Sequence, residues 1–344
     1  MSVRPLPARA GVRAAAALAL GAAATAWSAP AARAASAPDD TVAFKIADPR
    51  ITESSGLAAS TAHPGVVYTH NDSGGVPKIY ALGPDGRVLA VLTLGGAGAR
   101  DWEAMALGKD DRGRPAIYVG DIGDNLGGAW PYVTVYRIPE PAQLRSQTIR
   151  ATRFRIKYAD GPRNAETMMV NPRTNRLYIA SKLFGGAVYE GPKRLRASGY
   201  NVMHKIGKAP AIATDGAFAP DGSTCVIRTY FGARMYAVKP DGRPGRSLGS
   251  VSLPFQPQGE SITYTSDGRY FLAGSEGDDQ PVYKVPVPGA AGPSSSPSIT
   301  ATTKAEKKDD ADRGHRDAGD TRTGLIIALA IAALVGFGLF RRRG

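Results

Sequence analysis

The stretch ARDWEAMALG, residues 99–108, begins with acidic side chains and continues as an alternating apolar run. Met105 and Leu107 alternate with small residues, a pattern that is typical of a strand with one face on a core. Two carboxylates, Asp101 and Glu103, stand where this strand starts. Acid at the start of a strand otherwise suited to burial is unusual, and the rest of the chain repeats it.

Five segments share this pattern of an acid followed by alternating apolar or small residues. They are ESSGLAAS from Glu53, EAMALG from Glu103, ETMMVNP from Glu166, DGAFAPDG from Asp215 and ESITYTSDG from Glu260. A turn-forming cluster, a second strand, a loop and a third strand follow each one, with no convincing helical period between them. This repeat predicts an all-β fold of antiparallel sheets arranged around a ring, which is a β-propeller.

The spacing of the repeats predicts the number of blades. Successive acids lie between 45 and 63 residues apart, and propeller blades usually run about 40 to 50 residues. Five blades over residues 40–288 fit best, with six blades as the alternative because the second interval is long. The segment TVAFKIAD, residues 41–48, is then expected to supply the outer strand of the last blade and close the ring.

The repeated acids predict a metal site. The first strand of each blade lines the central channel, so residues at its start lie near the axis. Carboxylates about 5 Å apart repel by roughly 3 kcal/mol at an effective dielectric constant near 20, so the group must keep protons or hold a cation. Oxygen ligands favour Ca²⁺, whereas blade-to-blade hydrogen bonds and salt bridges without metal are the alternative. The predicted ligands are Glu53, Glu103, Glu166, Asp215 and Glu260.

The second strands return to the face that carries these acids, so their ends are expected to surround the channel opening. The predicted ligand-face residues are Asn71, Asp72, Asp101, Asp121, Asp124, Asn125, Tyr230 and Glu276. Three further residues, His70, Lys182 and Arg228, are candidates for catalysis. The alternative for any one of them is ordinary turn chemistry, since Asp, Asn and Gly are favoured in loops.

At ESSGLA, DWEAMA, AETMMV and GESITY the chain resembles secreted bacterial propellers of the esterase-like phytase and SdiA-regulated group. Its layout is also similar to that of calcium-activated apyrases, whose five blades bring acidic or hydroxyl residues to one calcium on the axis. The resemblance covers residues 40–288 as a blade rhythm. It implies calcium ligands at Glu103, Glu166 and Glu260, with Glu53 or Ser54 and Thr214 or Asp215 completing the ring.

The two ends of the chain predict export and anchoring. Residues 1–34 have a basic start, an apolar run and a small-residue cleavage site, which together indicate a signal peptide. Residues 289–322 are rich in Pro, Ser, Thr and charge, which predicts a disordered stalk. The uncharged run 324–340 predicts a transmembrane helix of minimal length, and the arginines of residues 341–344 place the C-terminus in the cytoplasm.

Composition narrows the function classes. The net charge of +13 comes partly from the two ends, and the basic residues of the body are scattered, so a nucleic-acid partner is not expected. The single cysteine, Cys225, excludes an internal disulfide and is expected to be a buried strand thiol. With four histidines in all, a zinc site is not expected.

Two function hypotheses remain, and the sequence leaves open whether the protein is an enzyme. The first is a monomeric propeller, anchored in the cell membrane by a single span and facing outward, that acts as a binding or scaffold module for an envelope polymer or protein. The alternative is a calcium-dependent hydrolase of phosphoesters or related esters, in which His70, Lys182 or Arg228 stabilises developing negative charge.

Overall fold

A computed structural model describes residues 41–72 and 75–290, which form twenty-one β-strands and no helix. No helix within this part of the chain could therefore span a membrane. The predicted signal peptide, transmembrane helix and basic tail, and all but the first two residues of the predicted stalk, lie outside the described residues.

The strands are short and follow one another in antiparallel runs along the chain. The first nine are β1 (Thr41–Ile46), β2 (Ser54–Ala59), β3 (Val67–Asn71), β4 (Lys78–Leu82), β5 (Val88–Gly95), β6 (Trp102–Lys109), β7 (Pro115–Asp121), β8 (Val133–Pro139) and β9 (Gln147–Arg150). The next six are β10 (Thr152–Tyr158), β11 (Ala165–Val170), β12 (Leu177–Ser181), β13 (Ala187–Glu190), β14 (Tyr200–Lys208) and β15 (Ala213–Phe218). The last six are β16 (Thr224–Thr229), β17 (Gly232–Val238), β18 (Pro244–Val251), β19 (Gly259–Tyr264), β20 (Tyr270–Ser275) and β21 (Gln280–Pro286).

These strands form four sheets within the described residues. The strand orders are β2-β3-β4-β5-β9, β6-β7-β8-β10-β14-β13-β12-β11, β15-β16-β17-β18 and β19-β20-β21-β1. The eight-stranded sheet consists of two antiparallel units of four strands, which are joined edge to edge by the parallel pair β10 and β14. Each antiparallel run therefore starts at one inner strand and proceeds outward.

The inner strands form a closed ring. Strand β2 contacts β6 and β19, β6 also contacts β11, and β15 contacts both β11 and β19. Sheets that radiate from such a ring are the architecture of a β-propeller. The predicted all-β propeller is confirmed.

The ring is closed by the first described strand. Strand β1 pairs antiparallel with β21, from Thr41 opposite Lys284 to Ile46 opposite Gln280. Phe44 and Ile46 of β1 are buried, so this strand is part of the core and not merely an edge. The predicted role of TVAFKIAD as the closing outer strand is confirmed.

The core lies between neighbouring sheets. The second strands of the sheets, such as β7 and β12, are buried on both faces, because another sheet covers each side. Trp102 and Met105 of β6 pack with Tyr68 and Ile79 of the preceding sheet, which accounts for the apolar alternation in the opening stretch. Cys225 is fully buried as predicted, and burial raises the pKa of its thiol to about 12, so it is unreactive.

Candidate functional site

Every inner strand carries a β-bulge near its start. The pairing with the second strand shifts between Ser54 and Gly56 in β2, Trp102 and Ala104 in β6, and Ala165 and Thr167 in β11. Strands β15 and β19 shift in the same way after Ala213 and Gly259. A bulge adds one unpaired residue and redirects its side chain, so these positions turn side chains toward the channel.

The bulges show that the five predicted acids do not occupy equivalent positions. Glu103 and Glu166 are the extra residues of β6 and β11, and Glu260 lies within the shifted segment of β19. In β2 the extra residue is Ser55, two residues beyond Glu53. The prediction of five equivalent acids assumed one register throughout, but apolar alternation does not reveal where a bulge lies.

Asp215 bridges two inner strands. Its Oδ2 accepts a hydrogen bond from the backbone N–H of Ile262 at 2.8 Å, and the neighbouring Thr214 hydroxyl donates to the Glu260 carbonyl at 2.9 Å. Asp215 is fully buried, and burial raises its pKa well above the ordinary value. For this acid, the contacts in the structure are those of the blade-to-blade hydrogen bonds that the sequence analysis left as the alternative.

Arg228 makes a similar bridge. Its guanidinium donates to the Ser261 carbonyl at 2.9 Å and to the Gln256 side chain at 2.8 Å, and the whole residue is buried. Burial lowers the pKa of this guanidinium to about 10. These contacts hold Arg228 inside the protein, between β16 and β19.

The densest group of acids lies beside β6. Asp72, Asp101 and Glu103 each offer a carboxylate oxygen, and these oxygens all lie within 4.8 Å of one another. Asp72 follows β3, whereas Asp101 and Glu103 flank Trp102 at the start of β6. Only Glu103 of the three belongs to the predicted metal ligands; Asp72 and Asp101 belong to the predicted ligand face.

Backbone hydrogen bonds hold this group in place. The Trp102 N–H donates to the Asp72 carbonyl at 2.9 Å, and the Asp72 N–H donates to the Glu53 carbonyl at 3.0 Å. The Asp101 N–H donates to the Asp121 carboxylate at 2.9 Å. The two chain segments that carry the three acids are therefore tied together independently of their side chains.

Gly123 leaves room for the acids. A Cβ at this position would lie 2.3 Å from Asp101 Oδ2 and 2.5 Å from Glu103 Oε1, so no other residue fits without displacing them. Gly123 belongs to the loop GDIGDN, residues 120–125, and the sequence analysis predicted no role for this glycine. In the sequence this role is indicated only by a glycine in a loop, and glycine is favoured in loops for other reasons as well.

The three acids belong to a larger set that we call the acidic cluster. Electrostatic interactions connect its members, which are Glu53, Asp72, Asp101, Glu103, Glu166, Glu260 and Glu276. Burial, reinforced by neighbouring acids, raises the pKa of Asp72 and Glu103 well above ordinary values. The same causes raise the pKa of Glu166 and of Glu276 to about 8, so the cluster retains protons near neutral pH unless a cation is bound.

Lys182 interacts with three members of the cluster, Glu103, Glu166 and Glu260. Its ammonium forms an ion pair with Glu166 and donates to the Tyr230 hydroxyl at 2.6 Å. Although burial opposes its charge, Glu166 and Glu260 raise the pKa of Lys182 well above the ordinary value. Lys182 therefore gives the cluster a fixed positive charge, and burial raises the pKa of Tyr230 so that its hydroxyl stays protonated.

His70 lies behind the cluster. It is fully buried, its Nδ1 is 3.0 Å from the Asn71 carbonyl, and its ring meets the edge of Trp102 at 5.7 Å between centroids. Burial lowers the pKa of His70 to about 4. A neutral imidazole in this position supports the packing of Trp102 and carries no charge at neutral pH.

The remaining predicted ligand-face residues have local structural partners. Asn71 accepts from the Thr52 N–H at 3.1 Å, Asp124 accepts from the Trp130 N–H at 2.8 Å, and Asn125 accepts from the Asn164 amide at 3.0 Å. Glu276 accepts from the Ser55 hydroxyl at 2.6 Å and from Gln258. Ser55 and Gln258 are site residues that the sequence analysis missed, because neither is acidic.

The donor set fits a divalent metal ion. It consists of carboxylate oxygens, which suit hard cations, and Oδ1 of Asp72 is buried without a hydrogen-bond partner among the described residues. Oε2 of Glu166 is also buried without a hydrogen-bond partner among the described residues. The arrangement can therefore bind a cation at Asp72, Asp101 and Glu103, beside a lysine that can contact an anionic group.

Comparison with solved structures gives many structural likenesses, and two of them are described below. No family model and no curated protein matches the chain. The chain is similar to a gluconolactonase from Xanthomonas campestris, with 13% identity, a TM-score of 0.44 and coverage of 70% of this chain and 89% of that chain. It is also similar to the apo-form of the soluble aldose sugar dehydrogenase from Escherichia coli, with 11% identity, a TM-score of 0.45 and coverage of 72% and 99%.

At these identities and TM-scores, neither likeness carries an argument about the activity of this chain. The propeller architecture rests on the closed ring of inner strands. The finer resemblance to the esterase-like phytase group stays a prediction.

Proposed function

We propose that this chain is a calcium-dependent hydrolase of ester or phosphoester substrates, with its active site at the acidic cluster. The observation that carries the proposal is the group of Asp72, Asp101 and Glu103, whose oxygens lie within 4.8 Å of one another and next to a protonated lysine. Of the two functions that the sequence left open, the calcium-dependent hydrolase is therefore preferred to the binding module.

The electrostatics favour a bound cation. At an effective dielectric constant near 20, two ionised carboxylates within 4.8 Å repel by at least about 3 kcal/mol. A divalent cation removes this repulsion and supplies the partner that Asp72 Oδ1 lacks among the described residues. Ca²⁺ is the cation proposed because it takes 6–8 oxygen ligands in flexible geometry, and neighbouring acids and water can complete the set.

The chemistry divides between the three acids that would hold the cation and the pair of Lys182 and Glu166. A bound Ca²⁺ would polarise a substrate oxygen and favour ionisation of a coordinated water. Lys182, held protonated by Glu166 and Glu260, is positioned to stabilise negative charge that develops on the substrate. Glu166, with a pKa of about 8, can exchange a proton near neutral pH, as general acid–base catalysis requires.

A substrate panel tests this proposal. Chromogenic phosphomonoester, phosphodiester and acyl-ester substrates are assayed with calcium and with EDTA. We expect turnover of at least one class only with calcium, abolished in Glu103→Gln and strongly reduced in Lys182→Met. Glu140→Gln is the control, since Glu140 is a buried acid that binds Ser60 and Thr61 instead of the cluster. Absence of turnover from the whole panel would refute the hydrolase.

A second function, the binding module, is favoured by one further observation. Large apolar side chains are exposed on loops at the same end of the propeller as the acidic cluster; they are Val76, Leu126, Phe184, Phe231 and Phe255. Exposed apolar groups around a polar centre are typical of interaction sites. If the substrate panel is silent, binding to purified envelope polymers, weakened in Phe184→Ser and Phe231→Ser, would support this function instead.

Three finer features are proposed on the same footing. Five blades are inferred from the five inner strands of the ring, with β10 and β14 joining two blades. Anchoring in the cell membrane through residues 324–340, with the propeller outside, the C-terminus in the cytoplasm and a monomeric state, rests on the sequence pattern. Deletion of residues 324–344 tests the anchor, because it should release the protein from membranes into the medium.

A further inference from the structure

The loops at the two ends of the propeller differ in their chemistry. The inner strands start at the end that carries the acidic cluster, which we call the cluster end, and the second strands return to it antiparallel. Within the described residues, every large apolar side chain that is exposed in a loop lies at the cluster end: Val76, Leu126, Leu183, Phe184, Phe231 and Phe255. Their exposed fractions run from 44% to 89%, and the other exposed large apolar side chains of the described residues lie on strands.

The turns at the opposite end are charged. Their exposed basic side chains include Arg112, Arg173, Lys193, Arg194 and Lys239. Turns of this kind are well solvated, and they would attract an anionic surface with a strength that salt reduces. An apolar surface is matched by the cluster end instead.

The chain segments around the exposed apolar side chains contain no charged residue. These uncharged segments at the cluster end are 75–77, 125–132, 183–186, 209–212, 230–233 and 252–258. Two other loops at this end hold charges in ion pairs, Asp48 with Arg50 and Asp160 with Arg163. Because charged side chains are costly inside a bilayer whereas apolar side chains enter its interface readily, the uncharged segments suit contact with lipid.

The arrangement of the apolar side chains favours a bilayer over a protein partner. They lie on loops of successive sheets around the channel, so they surround the acidic cluster instead of forming one patch. In a protein interface, apolar anchors gather at the centre and charged residues are depleted there. Here the centre is occupied by carboxylates. A bilayer interface receives each apolar side chain separately and meets a polar centre with its headgroups.

The proposed anchor keeps a bilayer within reach of the cluster end. The described chain ends at residue 290, and the 33 residues 291–323 separate it from the apolar run 324–340. A chain of this length spans at most about 110 Å. The longest strand of the propeller, β14, has nine residues and therefore spans only about 30 Å. The tether allows either end to face the membrane, so the chemistry of the loops decides which one does.

We propose that the cluster end docks on a phospholipid bilayer. The six exposed apolar side chains enter the headgroup region, and the acidic cluster faces the headgroups. Docking by apolar side chains needs no anionic lipid and resists salt, whereas docking by the charged turns of the opposite end would need anionic lipid and fail in salt. The proposal goes beyond the hydrolase and does not depend on it, but it rests on the anchoring proposed above.

Trp130 can report this docking. It lies in the same loop as Leu126, and the Arg100 guanidinium holds its ring, with 4.1 Å between Cζ and the ring centroid. The full chain, carrying Trp27→Phe, is reconstituted in phosphatidylcholine vesicles that contain lipids with a spin-labelled headgroup, which quenches tryptophan fluorescence on close approach. Trp102 is buried and serves as the unquenched reference. We expect quenching of Trp130 that persists in high salt and is absent in Trp130→Phe.

Two sets of substitutions identify the surface responsible. The combination of Phe184→Ser, Phe231→Ser and Phe255→Ser should lose most of the quenching, because it removes apolar side chains from three loops of the cluster end. The combination of Leu89→Ser, Val202→Ser and Leu248→Ser is the matched control, since these exposed residues lie on strands β5, β14 and β18; it should keep the quenching. Melting temperatures close to that of the unaltered protein show that both sets are folded. The readout needs no turnover, so a silent substrate panel would leave it unaffected.

Flotation of the vesicles separates failure of the docking from failure of the anchor. If the chain floats with the vesicles while Trp130 stays unquenched, the anchor holds and the docking is refuted; if the chain does not float, both are refuted. Quenching that occurs only on phosphatidylglycerol vesicles and disappears in high salt would show that the charged end docks instead. Full quenching in the triple phenylalanine variant would also overturn the proposal, as would an envelope polymer that shifts Trp130 fluorescence when vesicles do not.

Discussion

Neutralising Glu103 is expected to stabilise the protein when no divalent cation is present. Its carboxylate lies within 4.8 Å of oxygens of Asp72 and Asp101, so each ionised pair costs about 3 kcal/mol at an effective dielectric constant near 20. Glu103→Gln removes both this repulsion and the need to bind a proton that relieves it, and it keeps the shape of the side chain. At pH 8, relief of about 3 kcal/mol corresponds to a rise in melting temperature of about 6 to 12 °C for a domain of this size.

Calcium should reverse the order of the two proteins. A hundredfold excess of calcium over its dissociation constant stabilises the unaltered protein by about 2.7 kcal/mol. Glu103→Gln loses a charged ligand and should gain little. Calorimetry at pH 8, with EDTA and then with calcium, measures both melting temperatures. The variant should melt higher than the unaltered protein in EDTA, and its calcium-induced rise should be far smaller.

Glu140→Gln is the control for this experiment. Glu140→Gln alters a carboxylate that accepts hydrogen bonds from Ser60 at 2.5 Å and Thr61 at 2.7 Å, so it should destabilise the protein and leave the calcium effect intact. If Glu103→Gln lowers the melting temperature in EDTA, or keeps the full calcium-induced rise, then the acids near Glu103 do not repel one another and do not bind the ion.

Three further predictions concern other parts of the site. Gly123→Ala would place a Cβ 2.3 Å from Asp101 Oδ2; it should cost about 1 to 3 kcal/mol and abolish the calcium-induced rise in melting temperature, as measured by calorimetry. The pKa of Glu166 is raised from 4.5 to about 8. In EDTA, its contribution to the free energy of unfolding is therefore full below about pH 4.5 and is lost as the pH rises through about 8. Urea unfolding measures this contribution, and no loss between pH 5 and 8 would contradict the raised pKa. Arg228→Met removes the buried donor to Ser261 and Gln256 and should destabilise the protein by about 3 kcal/mol in urea unfolding, whereas a loss below 1 kcal/mol would show that these contacts are dispensable.

The fold was predictable because the sequence repeats one pattern of residues along the chain. Alternating apolar residues, turn clusters and a repeated acid at each inner strand together predicted the all-β propeller and the closure by TVAFKIAD. The joining of two units through β10 and β14 was not predictable in the same way. It is a parallel pairing between strands far apart in the chain, and neither strand carries a pattern that names its partner.

The candidate site was predictable only in part. The prediction that acids gather at the starts of the inner strands and the ends of the second strands agrees with the interactions of Asp72, Glu103 and Glu166. The division into axial ligands and outer residues did not anticipate the group at Asp72, Asp101 and Glu103, because a bulge changes which side chains meet without altering composition. Asp215 shows the same limit: one step of register places it against the Ile262 N–H.

The pairing of β1 with β21 has a consequence for how the protein is made. Strand β1 is synthesised before every other described strand, yet its partner β21 is the last of them to emerge. Contacts over such a sequence separation are slow to form, because the intervening chain must be ordered first. During synthesis, the edge of β21 does not yet exist, and Phe44 and Ile46 have no sheet to cover.

The ring of sheets can therefore close only after translation has passed β21. A chain that stops before β21 leaves the first strand unpaired and the last sheet with an open edge, which invites pairing with other chains. Such a product would be prone to aggregation and to proteolysis. Only a chain translated through β21 can join its first and last described strands in one cooperative structure.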